Sequence, residues 1–105
     1  MGGGMRVYDL KDERGRVFAF EVDKCFRRRR TIAGIIEQLA GAIILKVPQQ
    51  FFRIREDVFF EFEVGGQVFE VWEPFGDSSR YWIGPKDNVW HSEIDLVRGA
   101  FADHR

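Results

Sequence analysis

Apolar and polar residues alternate along several short stretches of this chain, as they do in strands that bury one face. Met5–Leu10 and Arg16–Val22 are the first two, and the polar segment between them ends in Gly15. A glycine at that place suits the positive φ of a hairpin loop. The two-residue period puts Phe18, Phe20 and Val22 on one side of the second strand. The pattern therefore predicts an N-terminal β-hairpin with an aromatic core face.

The period then changes from two residues to that of a helix. The residues at helical spacing are Ile32, Ile35, Ile36, Leu39 and Ile43. Asp23 and Thr31 are both suitable N-cap residues, and Gly41 suits the residue after the helix. We expect a helix through about residue 40, followed by irregular or extended chain. Residues 42–47 are compatible with either helix or strand, because periodicity does not separate the two in so short a run.

The clearest strand pattern surrounds Gly65-Gly66, where residues 58–64 and 67–73 predict a hairpin with a two-residue turn. If Val64 and Gln67 flank this turn, Glu61 lies opposite Glu70 and Phe59 opposite Trp72. One face then belongs to the core and contains Phe60, Phe62, Val64, Phe69 and Val71. The other face is expected to be solvated and contains Phe59, Glu61, Glu63, Val68, Glu70 and Trp72.

The remaining segments complete an α+β pattern. Phe52–Arg55 alternates like a strand with one buried face. Arg80–Ile83 is predicted to be a strand that ends at Gly84-Pro85. Ser92 with Asp95 resembles a capping box before a C-terminal helix. We predict one α+β domain over residues 1–105, in the order β-β-α-(β)-β-β-β-α, with a flexible glycine-rich segment at 1–4. An antiparallel sheet of five or six strands carries the helices. The expected core is Phe18, Phe20, Ile32, Ile36, Leu39, Phe60, Phe62, Phe69, Val71, Val97 and Phe101.

Composition narrows the class of protein. The 105 residues include 11 Phe and one Cys, with a net charge of −1. A single cysteine excludes an intramolecular disulfide. The apolar runs are too short for a membrane helix and no secretory signal is visible, so we expect a cytoplasmic protein. The near-neutral charge hides an asymmetry, since residues 1–55 are net basic and residues 56–105 net acidic.

Catalytic and cofactor patterns are weak. Ser78 or Ser79 with His91 and a nearby aspartate supplies the residue types of a hydrolase, but no nucleophile-elbow motif surrounds either serine. We predict that these residues do not converge and that the chain is not an enzyme. His91 and Asp95 are four residues apart, yet no paired metal-ligand spacing is present. The glycines lack phosphate-loop spacing, so we expect neither a metal nor a cofactor.

The run Arg27–Arg30 is the most specific charged feature. Four adjacent cations repel one another, and at a helix N-terminus the dipole adds to the cost. Arginine at such a place binds phosphate or carboxylate. Either acidic residues of the same chain neutralise the run, or an external anionic partner does. The two alternatives stay open at this point.

A second candidate surface is the outer side of the glycine hairpin, with the aromatic loop that follows it. Opposed glutamates destabilise a hairpin, and tryptophan is enriched at binding hot spots. A solvated face that binds nothing is an equally good interpretation. The candidate partner-binding residues are Arg27, Arg28, Arg29, Arg30, Phe59, Glu61, Glu63, Glu70, Trp72, Phe75, Asp77, Arg80 and Trp82.

These features favour a small non-enzymatic domain that binds a protein partner, comparable by analogy to inhibitors and immunity proteins. The opposite charges of the two halves also favour a homo-oligomer. The alternative is a nucleic-acid-binding module in which Arg27–Arg30, Arg53 and Arg55 contact phosphates.

Overall fold

The chain forms a six-stranded antiparallel sheet with two helices. In this computed structural model, the described residues are 6–23, 29–46, 58–72 and 80–103. The elements are β1 (Val7–Lys11), β2 (Val17–Asp23), α1 (Arg29–Glu37), β3 (Ala42–Lys46), β4 (Val58–Val64), β5 (Gln67–Trp72), β6 (Arg80–Pro85) and α2 (Ile94–Ala102). The predicted α+β class and order of elements are confirmed.

The strands lie in the order β1-β2-β6-β5-β4-β3. Strands β3 to β6 form a meander, because each pairs with its neighbour in sequence. The β1–β2 hairpin joins this meander through β2 and β6, which are far apart along the chain. Within the described residues, β1 and β3 are therefore the edge strands.

The glycine turn sets the register of the central hairpin. Gly65 and Gly66 have φ of 59° and 84°, which is the left-handed region that a type I′ turn requires at both positions. Glu61 then lies opposite Glu70, as predicted. A bulge near the start of β4 places Val58 opposite Trp72, so the predicted pairing of Phe59 with Trp72 is wrong.

Both helices supply apolar side chains to one face of the sheet. Strand residues Phe20, Phe60, Phe62, Phe69 and Val71 are fully buried together with Ile32, Ile36, Ile94, Val97 and Phe101 from the helices. The rings of Phe20 and Phe101 meet edge to face, with centroids 5.4 Å apart. Apart from Ile94, which the prediction did not include, this confirms the predicted core for those residues, because the two-residue and helical periods select the same face.

An ion pair attaches α2 to the edge of the sheet. Arg98 donates to both carboxylate oxygens of Asp9, at 2.6 and 3.1 Å. The hydrogen bond to Asp9 raises the pKa of Arg98 above its ordinary value. Since Asp9 lies in β1, this pair fixes the C-terminal helix to the first strand.

The structure decides between the two alternatives left open for the segment after α1. The helix ends at Glu37, and a turn leads to Ala42, whose N–H donates to the carbonyl of Leu39. Gly41 in this turn has a φ of 84°, which stops the helix and starts β3. Residues 42–46 are thus a strand, and Ile43 is 56% exposed on it although its spacing fits the helical stripe.

The helix starts also need correction. Thr31 lies inside α1, so it is not the N-cap of that helix, whereas the residues between Asp23 and α1 lie outside the described part of the chain and leave the Asp23 cap a prediction. Glu93 occupies the N-cap position of α2 and makes no side-chain capping bond, so the predicted capping box at Ser92 is wrong. Packing of the buried apolar faces, Ile32, Ile35 and Ile36 in α1 and Ile94, Val97 and Phe101 in α2, stabilises both helices.

Two predicted core residues are only half-buried, namely Phe18 and Leu39. Leu39 lies in the turn after α1, beyond the helical face, and Phe18 lies at one end of the sheet. The predicted strand 52–55 and the glycine-rich segment 1–4 lie outside the described residues. In the part of the chain that the structure describes, neither helix is long and apolar enough to span a bilayer.

The backbone geometry makes opposite predictions for two glycines with free space around them. Gly99 lies inside α2 and a Cβ there would meet nothing within 4 Å. We expect Gly99→Ala to raise the free energy of unfolding by about 0.5–1 kcal/mol, because alanine favours the helix. Gly66→Ala is the matched control, and it should lower that free energy by about 1–2 kcal/mol, because its φ is positive. Urea unfolding measures both. A neutral Gly66→Ala would contradict the left-handed turn.

Candidate functional site

The candidate site is the sheet face opposite the helices, which we call the outer face. The strand registers place Glu21, Asp23, Glu61, Glu63, Glu70, Trp72, Arg80 and Trp82 on it. These positions alternate with the buried core residues of the same strands. The two-residue alternation along the strands therefore determines both which residues enter the core and which lie on the outer face.

An indole pair occupies the middle of the outer face. Trp72 and Trp82 are cross-strand neighbours on β5 and β6, and their rings meet edge to face with centroids 5.8 Å apart. A Cβ added at Gly84 would lie 2.6 Å from Cη2 of Trp82 and 2.7 Å from Cβ of Ala19. The Trp82 ring therefore rests over Gly84, and both indoles stay half-buried.

Gly84 is a residue of strand β6, and the strand does not end before it. The predicted strand end at Gly84-Pro85 is wrong, because β6 continues through Pro85 and Gly84 pairs with Glu70. Both residues are buried. A glycine in a central strand marks a close approach of another group, and here that group is the Trp82 indole.

Glu70 lies beside the indole pair and is 8% exposed, although its face was expected to be solvated. Its Oε1 accepts a hydrogen bond of 2.7 Å from Nε1 of Trp72. A buried carboxylate is costly without partners, and this bond supplies one. The Trp72 side chain therefore both packs against Trp82 and satisfies a buried acid.

Two more glutamates extend this acidic group along β4. Glu61 lies opposite Glu70, and Glu63 lies opposite Val68. Nζ of Lys86 is 3.5 Å from Oε2 of Glu61, which offsets part of the repulsion between the opposed carboxylates. Acids outnumber cations on the outer face by a narrow margin. The registers place Glu21, Asp23, Glu61, Glu63 and Glu70 there, and the cations that registers or contacts place there are Arg6, Lys46, Arg80 and Lys86.

Arg80 is the centre of a polar cluster beside the indoles. Its Nη1 lies 3.1 Å from Oε1 of Glu21, and its Nε lies 3.8 Å from Oδ1 of Asp23. The guanidinium carbon is 3.5 Å from the centroid of the Tyr8 ring, a cation–π contact. The Tyr8 hydroxyl in turn donates to Oδ2 of Asp23 at 3.1 Å. Four side chains from β1, β2 and β6 thus position one another.

The structure brings six of the predicted partner-binding residues to the outer face: Glu61, Glu63, Glu70, Trp72, Arg80 and Trp82. Arg27, Arg28, Arg53, Arg55, Phe75 and Asp77 lie outside the described residues, as do the side chains of Arg29, Arg30 and Phe59. Sequence reasoning missed Tyr8, Glu21 and Asp23 as neighbours of Arg80. The alternation of Glu21 and Asp23 with buried residues of β2 shows their face, but not which strand lies beside them.

The potential catalytic residues make a smaller cluster elsewhere. Nε2 of His91 lies 3.0 and 2.9 Å from the two carboxylate oxygens of Asp87, not beside Asp95. Partial burial opposes ionisation of Asp87, but hydrogen bonds from His91 and the Val89 N–H lower the pKa of its carboxyl overall. Ser78 and Ser79 lie outside the described residues, so their separation from His91 stays a prediction.

Metal binding has no support among the side chains that the structure describes. They contain no group of three or more His, Cys, Asp or Glu residues that could hold a metal ion. Comparison of the chain with protein-family models, with curated proteins and with solved structures finds no match. The site's own geometry is therefore the basis for any functional inference.

The bond between Trp72 and Glu70 predicts an asymmetric mutational response. Trp72→Phe keeps a ring but removes the N–H that Glu70 accepts, so it should lower the free energy of unfolding by about 1–3 kcal/mol. Adding Glu70→Leu removes the unsatisfied acid and should recover part of that loss. Urea unfolding of wild type, both single variants and the double variant measures the coupling. Additive losses would contradict a stabilising bond between the two side chains.

Proposed function

We propose that this chain is a non-enzymatic protein-interaction domain that binds a cationic segment of a partner on its outer face. The observation that carries the proposal is the juxtaposition of the Trp72–Trp82 pair with Glu61, Glu63 and Glu70. Tryptophan rings are the preferred side chains for cation–π contact, and carboxylates beside them supply the opposite charge. Arginine of a partner satisfies both requirements.

The geometry of the face supports binding more than catalysis. The indoles are fixed by their mutual contact and by Gly84, so a partner meets a preorganised surface. Preorganisation reduces the entropy lost on binding. Trp and Tyr beside Arg are also the residue types enriched at binding hot spots.

The acidic character points to the kind of partner. Proteins that act on nucleic acids present cationic surfaces to the phosphates, and an acidic face complements such a surface. An inhibitor or immunity-like role fits this chemistry, because the acidic face would compete with the nucleic acid for the same cations. Electrostatic complementarity would also accelerate association.

An arginine–glycine repeat peptide tests the proposal directly. We expect it to shift the NMR signals of the Trp72 and Trp82 indole N–H groups and to bind more weakly as salt rises, because salt screens exposed charges. Glu63→Lys should weaken binding about tenfold at low salt. Glu37→Lys, the same change on α1, is the matched control and should have little effect.

Two matched tryptophan variants, one on the outer face and one away from it, give the second arm of this experiment. Trp82→Leu should weaken the peptide by about thirtyfold, as loss of a hot-spot side chain does. Trp90→Leu is the control, since Trp90 packs against the buried core and lies outside the strands of the outer face. Equal losses in both variants, or no binding by wild type, would contradict the proposal. Binding of a single-stranded oligonucleotide without the peptide would replace it with the nucleic-acid alternative.

Self-association is a special case of the proposal, because Arg27–Arg30 gives this chain a cationic segment of its own. If that segment binds the outer face of a second copy, the average mass in sedimentation equilibrium should rise with concentration at low salt. Glu63→Lys and replacement of all four arginines by glutamine should each reduce that rise. A monomer at all concentrations and salt levels would remove self-association and leave an unrelated partner.

A further inference from the structure

A second feature lies away from the outer face, where the β1–β2 loop approaches the segment between β6 and α2. The two segments enclose an open cleft of about 460 Å³. Its lining includes Phe18, Val89 and Trp90 together with Lys11, Arg14 and Arg16. Small-molecule sites have this size and combine apolar walls with a few charged groups.

The apolar part of the lining is only partly covered by the fold. The period of β2 puts Phe18 on the core face, yet its side chain is only half-buried. Val89 is 56% exposed and Trp90 is half-buried. Three neighbouring apolar side chains thus face one cleft, and a planar apolar group placed there would bury them further.

Hydrogen bonds hold the β1–β2 loop in shape. Oδ1 of Asp12 accepts from the N–H groups of Arg14 and Arg16, both at 2.9 Å, and its Oδ2 accepts from Nε of Arg16 at 3.1 Å. These bonds, first among them the backbone bond from Arg16, lower the pKa of Asp12. The Arg16 guanidinium lies 4.5 Å from the centroid of the Trp90 ring. The loop is therefore fixed to the opposite wall.

The facing segment is fixed as well. The Val89 N–H donates to Oδ1 of Asp87 at 3.1 Å, and Asp87 is itself held by His91. Asn88, between them, has a φ of 61°, a conformation uncommon outside glycine. The cleft is thus formed before any ligand enters, which favours binding.

The charges around the cleft favour an anion. Asp12 is paired with Arg16, whereas Lys11 and Arg14 have no ion pair among the described residues. Glu13 is the other acid in the lining, so the cations exceed the acids by one. We propose that this cleft binds a small molecule with a planar apolar ring and one anionic group, which Lys11 and Arg14 would contact.

2-Naphthoate is a suitable probe, because it has both chemical features and fits the volume. We expect saturable NMR shifts confined to the cleft lining, above all Phe18, Val89, Trp90, Lys11 and Arg14, with a dissociation constant of about 1 mM or tighter. The neutral isostere 2-naphthalenemethanol should bind at least about threefold more weakly, because it lacks the charge. Equal affinity of the two would overturn the anionic part of the proposal.

Two exposed apolar residues provide matched variants that should leave the fold intact. Val89→Asp places a carboxylate in the cleft and should weaken 2-naphthoate at least about tenfold. Leu96→Asp makes the same change at a residue that is 57% exposed on α2, and should bind as wild type does. Arg14→Glu should weaken 2-naphthoate and leave 2-naphthalenemethanol unchanged.

Two variants distinguish binding in the cleft from the binding proposed for the outer face. Trp90→Leu should reduce binding of 2-naphthoate and leave the arginine–glycine peptide unaffected, and Trp82→Leu should do the reverse. No saturable shift, shifts centred on Trp72 and Trp82, or full binding by Val89→Asp would each overturn the cleft proposal.

Discussion

The two-residue turn at Gly65-Gly66 determines which side of the sheet is apolar. Both residues have positive φ, so the turn joins β4 and β5 without splaying them and admits one register. A shift of the strand register by one residue would turn Phe62 to the outer face and bury its glutamate neighbours, Glu61 and Glu63, under the helices. Strand β6 pairs with β5, and β2 pairs with β6, so the same register extends across the sheet.

Both helices pack on the same face of the sheet, so the outer face is shielded from solvent only by its own side chains. Ala19 and Gly84 are small and buried, which lets the Trp82 ring lie across the strands instead of projecting into solvent. Trp72 then packs against Trp82 and donates to Glu70. The arrangement limits exposed apolar area and buries Glu70, while both indoles and the neighbouring Glu61 and Glu63 stay only partly buried. A binding face of this kind follows from packing rather than from a local motif.

The sequence predicts the features that depend on near neighbours. Strand periods, the glycine turns and the isoleucine stripe of α1 all act over a few residues, and the structure confirms the face each one assigns. Pairing of β2 with β6 depends on the whole chain, so the cluster of Tyr8, Asp23 and Arg80 was not predictable from spacing. Phe18 shows the same limit, because the register of β1 and β2 skips it at a bulge that its own period does not reveal. The bulge in β4 likewise depends on neighbouring strands.

The ion pairs explain how a nearly neutral chain keeps two charged regions. Asp9, Glu21 and Asp23 are acids of the basic half, and they pair with Arg98 and Arg80 from the acidic half. These minority charges thus join the two halves, whereas Asp12 and Lys86 pair with residues of their own half. Among the bases of residues 1–55 whose side chains are described, namely Arg6, Lys11, Arg14 and Arg16, none pairs with an acid of residues 56–105. Among the described side chains, cations are in excess near the β1–β2 loop and acids are in excess on the outer face, so each region is suited to a ligand of opposite charge.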